Sequence, residues 1–184
     1  PPKSDLRYEI AMGIPNDISV IFDSPPMPSL GPETRDSLLS IDQCKKRTAN
    51  ALENENITGI EEKLILSAAL LWHDYLDESH TISQSIHTQD GSYLHGIMHR
   101  REPDYSNAKY WFHKTGSYAG YDILSEKVET ILDNTSLSSL TEGRWDPFTM
   151  VDSVSQAKHG TCEYELLQKV QQAEFQTLLE KTFN

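Results

Sequence analysis

Six of the seven histidines of this 184-residue chain lie between residues 73 and 113, among residue types that move protons or bind metals. The stretch from Trp72 to Lys114 reads WHDYLDESHTISQSIHTQDGSYLHGIMHRREPDYSNAKYWFHK. His73, Asp77, His80 and Gln84 are separated by four, three and four residues, the spacing that holds side chains on one helix face. An aspartate there can orient either imidazole or share a metal with both. His95 and His99 form H-x-x-x-H, one helical turn apart. Gly96 stands where the zinc proteases carry their general base, so the metalloprotease reading fails, but two imidazoles can still converge on one point. Helical bundles build metal sites from two such helices. The candidate catalytic set is therefore His73, Asp77, His80, His95 and His99. His73, His80, His95 and His99 are the candidate ligands of a divalent ion (Zn, Fe or Mn). The plainer alternative is a satisfied polar stripe whose histidines donate to backbone carbonyls.

Around this set lie candidate substrate contacts. Arg100 or Arg101 can clamp a carboxylate or phosphate with its planar fork, although both also suit a helix C-terminus. Gln84 and Asn107 offer amides, and Tyr110 or Trp111 can stack on an unsaturated or cationic group. No nucleophile elbow, phosphate-binding loop, dinucleotide fingerprint or Schiff-base lysine motif occurs, so no nucleotide cofactor is expected. Histidine near neutral pKa suits proton transfer. The expected chemistry is thus of lyase, isomerase or cyclase type on a small organic molecule of secondary metabolism, in a His/Asp/Arg pocket between two central helices. The competing expectation is a non-catalytic helical binding or adaptor module.

These residues need helices to position them. The expected fold is all-α: one domain over 1–184, a bundle of six or seven helices (33–184) with a Pro-rich extended N-terminal arm (1–32) packed across it. Within the arm, Ile18 to Phe22 is β-prone. From Pro32 the pattern becomes helical, with Leu38, Leu39, Ile41 and Leu52 on one face, and ENEN (53–56) leads out. Thr58 and Glu61 read as a capping box that opens one long helix to about Ser85. Asp90 is expected to cap 91–102, Asp104 to cap 105–115 before Gly116, and Asp146-Pro147 to start another helix. Helices are also expected over 121–132 and 161–183.

Composition narrows the partners. Hydrophobic residues make up 37%, and the formal charge is −12 with a pI near 4.9. That argues against a nucleic-acid partner and equally against docking on anionic lipid, both of which need a basic surface. No apolar run approaches the ~20 residues of a membrane span. The N-terminus PPKSDLRYEI lacks a charged leader and apolar stretch, so no secretory signal is expected; it also lacks an initiator Met and reads as trimmed. Cys44 and Cys162 form no CxxC unit, and a reducing cytoplasm is the expected setting.

DESHTISQSI followed by GSYLHGIMHRREPDYSNAKYWF resembles a segment, DESHxISQ…HRREPDxSNAKYWF, of an uncharacterised family of small bacterial and fungal proteins. The resemblance covers about residues 72–115, with a weaker echo at WDPF (Trp145 to Phe148). It implies kinship and brings no activity with it. Leu94, Gly96, His113 and Lys114 include positions where the relatives carry bulkier Trp and Arg residues, which implies a changed pocket or a specialised descendant.

Overall fold

The computed structural model describes residues 13–183 except Ser24 and Ser37; the side chain of Ser139 is also outside the description. Residues 1–12 of the expected arm (1–32) lie outside these residues. The described chain is all-helical, a bundle of nine α-helices. Seven helices were expected at most; the two extra arise because the long helix over 58–85 is broken and because part of the arm is itself helical.

Ile18 to Phe22 forms no strand. Asn16–Ser19 is a short helix (α1) that continues into a 3-10 turn at Val20–Phe22. A lone strand would leave its backbone N–H and C=O groups without partners, and a helical turn satisfies them locally. The spacing of Ile18, Ile21 and Phe22 then puts all three into the core, with Val20 turned outward. Residues 25–35 cross the bundle as a strap. The Gln168 and Gln171 amides donate to the Pro28 and Ser29 carbonyls at 2.8 and 3.1 Å.

Helix α2 (Ile41–Asn54) starts well after Pro32. Its start is fixed by a Ser40/Gln43 capping box, in which Ser40 Oγ accepts from the Gln43 N–H and Gln43 Oε1 accepts from the Ser40 N–H. The Thr58/Glu61 box does not form: α3 (Ile60–Trp72) is entered through Gly59 at φ 77, with no side-chain cap. Leu64, Ile65, Ala68, Ala69, Leu70, Leu71 and Trp72 are all buried, as expected for a helix apolar on most sides. Trp72 packs edge-on against Phe22 and Phe175.

The long helix stops at His73. Asp74 has φ 68, and α4 (Leu76–Ser83) resumes in a new direction. Two guanidinium groups hold this break. The Arg35 N–H and Nε donate to Asp74 Oδ2 at 3.0 and 2.9 Å, and Arg101 Nη2 donates to Oδ1 at 2.8 Å. Burial pushes the Asp74 carboxyl up, but Arg35 and Arg101 more than offset this and hold it below the ordinary carboxylate range. Asp74 therefore remains ionised in a conformation that L-residues rarely adopt.

Helix α5 (Gln89–Arg101) runs through the middle, every residue from Gly91 to Arg101 buried. Thr88, not Asp90, caps it; Asp90 instead accepts from the Tyr118 hydroxyl and from Lys181. Asp104 caps α6 (Tyr105–Thr115), and Gly116 ends it at positive φ. Then come α7 (Gly120–Leu132), α8 (Pro147–Gln156, capped by Asp146 with Pro at its first position) and α9 (Cys162–Phe183).

Gly96 lets α5 and α6 approach closely. A Cβ there would lie 2.6 Å from Phe112 Cε1, and Phe112 is itself buried against Tyr93. Gly96→Ala is expected to cost about 1–3 kcal/mol of stability by overpacking, despite the better helix propensity of alanine. Urea unfolding checks this; a variant as stable as the parent would show that Phe112 can move aside freely.

Candidate metal centre

His80 comes from α4, and His95 and His99 from adjacent turns of α5. Each offers one ring nitrogen, and the three atoms lie within 4.8 Å of one another. His95 Nε2 and His99 Nε2 are 2.9 Å apart. A tetrahedral ion with bonds of about 2.0–2.1 Å separates two ligand nitrogens by roughly 3.3 Å, so this pair needs little adjustment. The His80 ring meets the other two edge-on, with centroids 4.8 and 5.0 Å away. His95 and His99 are buried, whereas 36% of the His80 side chain is exposed, so the cluster opens to solvent on the α4 side.

The outer nitrogens are held too. His99 Nδ1 donates to Glu102 Oε2 at 3.1 Å, because a carboxylate can only accept. His95 Nδ1 lies 3.2 Å from Ser83 Oγ, whose own hydrogen points to the His80 carbonyl at 3.2 Å. With Nδ1–H on both histidines the outer bonds to Glu102 and Ser83 are satisfied. Both Nε2 lone pairs then face the same point, an arrangement that a shared cation stabilises. Burial, and then the neighbouring His99 and His80, lower His95 to about 3. Burial also lowers His99, against the pull of Glu102. Both rings are therefore neutral at pH 7, the form in which imidazole binds metal.

Helix α6 supplies a wall. Trp111 stacks on His95 at 4.0 Å between centroids and 21° between planes, and Lys114 Nζ sits 4.6 Å over its indole. Asn107, one turn before Trp111, places Nδ2 3.3 Å from His99 Nε2. Tyr110 faces outward, 55% exposed.

The other expected site residues lie elsewhere. His73 is at the break after α3, where its buried Nε2–H donates to the Ile21 carbonyl at 2.9 Å, and burial lowers its pKa. With the helix broken at Asp74, the stripe His73–Asp77–His80–Gln84 does not share one face. Asp77 lines an open cleft of about 540 Å³ together with Tyr75, Glu102 and Asp104; the three imidazoles do not line it. Gln84 is an exposed helix end whose amide donates to the Thr81 carbonyl.

The arginines are corrections to the expected substrate clamp, since neither reaches the cluster. Arg100 is fully buried and pairs with Glu174 through two hydrogen bonds, Nη2 to Oε2 at 2.5 Å and Nη1 to Oε1 at 3.1 Å. Arg101 holds Asp74 and the Leu71 and Gly31 carbonyls. Consecutive residues on a helix point about 100° apart, and here both directions lead into the bundle. Two further groups hold the rings: Glu102 sits three residues after His99, a spacing visible in the sequence, whereas Ser83 meets the His95 ring from twelve residues away, which no local spacing marks.

Among the described residues no helix is long and apolar enough to cross a membrane. No family model, no curated protein and no solved structure matches this chain.

Proposed function

We propose that this chain is a metal-dependent enzyme acting on a small organic molecule, with chemistry of lyase, isomerase or cyclase type. His80, His95 and His99 would hold one divalent ion of the Zn, Fe or Mn class. The convergence of three imidazole nitrogens, two of them with their outer nitrogens tied to Glu102 and Ser83, carries this reading. Three protein ligands leave a position open, the pattern of catalytic rather than structural sites. An ion so held would supply Lewis-acid polarisation of a bound oxygen. Of the segment that suggests kinship with the bacterial and fungal family, His80, His95, His99, Glu102, Asn107 and Trp111 fall at or beside this centre, while Arg100 and Arg101 pair with Glu174 and Asp74 away from it. A small-molecule partner, a cytoplasmic setting and the absence of nucleic-acid binding belong to the same proposal, and the charge of −12 supports the last.

The alternative is a non-catalytic helical module. One observation favours it: the open cleft beside Glu102 is not lined by the imidazoles.

Metal binding tests the proposal directly. Untagged protein titrated with Zn²⁺ in a calorimeter is expected to bind one ion. His95→Ala and His99→Ala are expected to abolish measurable binding. Glu102→Gln, which loosens the ring of His99 without removing a ligand, is expected to weaken it about 10- to 100-fold. His73→Gln, remote from the cluster, is expected to bind as the parent does. Folded His95→Ala and His99→Ala proteins that take up zinc with parental affinity would end the metal reading.

A further inference from the structure

We infer that Asn107 positions the ligand at this centre, and that the ligand presents an oxygen donor to the ion. This inference rests on the metal reading above and deepens it. The two nitrogens of His99 have different surroundings. Nδ1 is taken by Glu102, so Nε2 is the one that faces His95 and the ion. The Asn107 amide lies 3.3 Å from that same Nε2. Without an ion the amide donates to the Nε2 lone pair; an ion that takes this lone pair leaves the –NH₂ beside the metal with its hydrogens free for a bound ligand. An amide –NH₂ has no lone pair to offer a metal, but it donates two hydrogen bonds. A donor beside the open position suits an oxygen there: a hydroxyl, a carbonyl, or one oxygen of a chelating pair.

The backbone keeps this group in place. Asn107 lies in the first turn of α6, where its N–H is held by Asp104 Oδ1 at 3.2 Å. One turn later Trp111 stacks on His95, so α6 presents an amide donor and an aromatic wall to the same cluster. With its backbone bound and its helix packed on α5, the amide is preorganised, and its hydrogen bond to a ligand costs little ordering.

The experiment uses Co²⁺, whose visible absorption reports its coordination, and acetohydroxamate as an oxygen-donor probe. Wild-type protein is expected to take up one Co²⁺ and to change its spectrum on titration with acetohydroxamate. Asn107→Ala is expected to keep Co²⁺ affinity within about 3-fold and to weaken the probe about 3- to 10-fold, the loss of one neutral hydrogen bond. Asn107→Asp, of the same shape but with an anionic acceptor in place of the donor, is expected to weaken the probe further while retaining Co²⁺. Unchanged probe affinity in both variants would overturn the inference. So would loss of Co²⁺ from Asn107→Ala on the scale of His99→Ala, which would make Asn107 a metal ligand. A folded wild-type protein that takes up no Co²⁺ defeats the metal reading itself, an outcome distinct from either of these.

Discussion

Glu174→Leu is expected to destabilise the protein by about 3–5 kcal/mol, the range seen when one partner of a buried ion pair is removed. Arg100 and Glu174 are both 0% exposed, on α5 and α9. The carboxylate accepts two hydrogen bonds from the guanidinium and a third, at 2.6 Å, from the Tyr93 hydroxyl, which in turn accepts from Trp145 Nε1. Burial, reinforced by the Glu174 charge, pushes the Tyr93 phenol well up, so it stays neutral and donates. Leucine in place of Glu174 leaves a full positive charge in the core with only the Gln171 amide oxygen to accept from it. The pair need not be a net source of stability, because both charges gave up water to enter the core. The double variant Arg100→Met/Glu174→Leu is accordingly expected to recover most of the loss. Urea unfolding of the two singles and the double measures the coupling; a Glu174→Leu protein within about 1 kcal/mol of the parent would mean that the core relaxes to let water reach Arg100.

Acid is expected to weaken the metal-free protein well before its carboxylates titrate. His95 holds its proton only below about 3 in the folded chain, against an ordinary value of 6.5. Between these values the unfolded chain binds a proton that the folded chain does not. The stability contributed by the neutral ring is thus fully present above pH 6.5 and is lost as pH falls towards 3, at about 1.4 kcal/mol per pH unit. Over the whole window the loss reaches several kcal/mol, set first by burial of His95 and then by repulsion from His99 and His80. His73 and His99 are lowered in the same direction and add to the loss. Asp74 acts in a separate, more acidic window, because its contribution disappears only as pH falls below its ordinary value of 3.8. Urea unfolding at pH 7.5, 6.5, 5.5 and 4.5 tests this with His95→Gln beside the wild type. The variant should show the shallower pH dependence, and parallel curves would exclude His95 as the source. Added zinc should raise stability at pH 7.5 above that of the metal-free protein, because an ion that binds only the folded state stabilises it.

The helices were largely legible in the sequence because their signals are local. Asp104 and Asp146-Pro147 cap where their spacing indicated, Gly116 ends α6, and the terminal helix begins one residue from its expected start. The apolar face of α3 marked it as a central helix. Local signals also misled. Thr58/Glu61 has the letters of a capping box, yet a positive-φ turn at Gly59 takes the chain into the helix instead. Ile18 to Phe22 has the composition of a strand, but with no neighbouring strand the backbone closes its own hydrogen bonds in a helical turn.

The sequence by itself determined the all-helical class and the turns of helix that bring His95 and His99 together, since both follow from spacing along one chain. Only the tertiary structure decided the membership of the site. Asp74 breaks the long helix because Arg35 and Arg101, 39 and 27 residues away along the chain, converge on its carboxylate. That break sends His73 to the N-terminal segment and turns His80 towards α5. Arg100 becomes a core residue because Glu174, 74 residues on, is there to receive it. Charge pairing across such separations depends on how the helices pack, and no periodicity in the sequence encodes it.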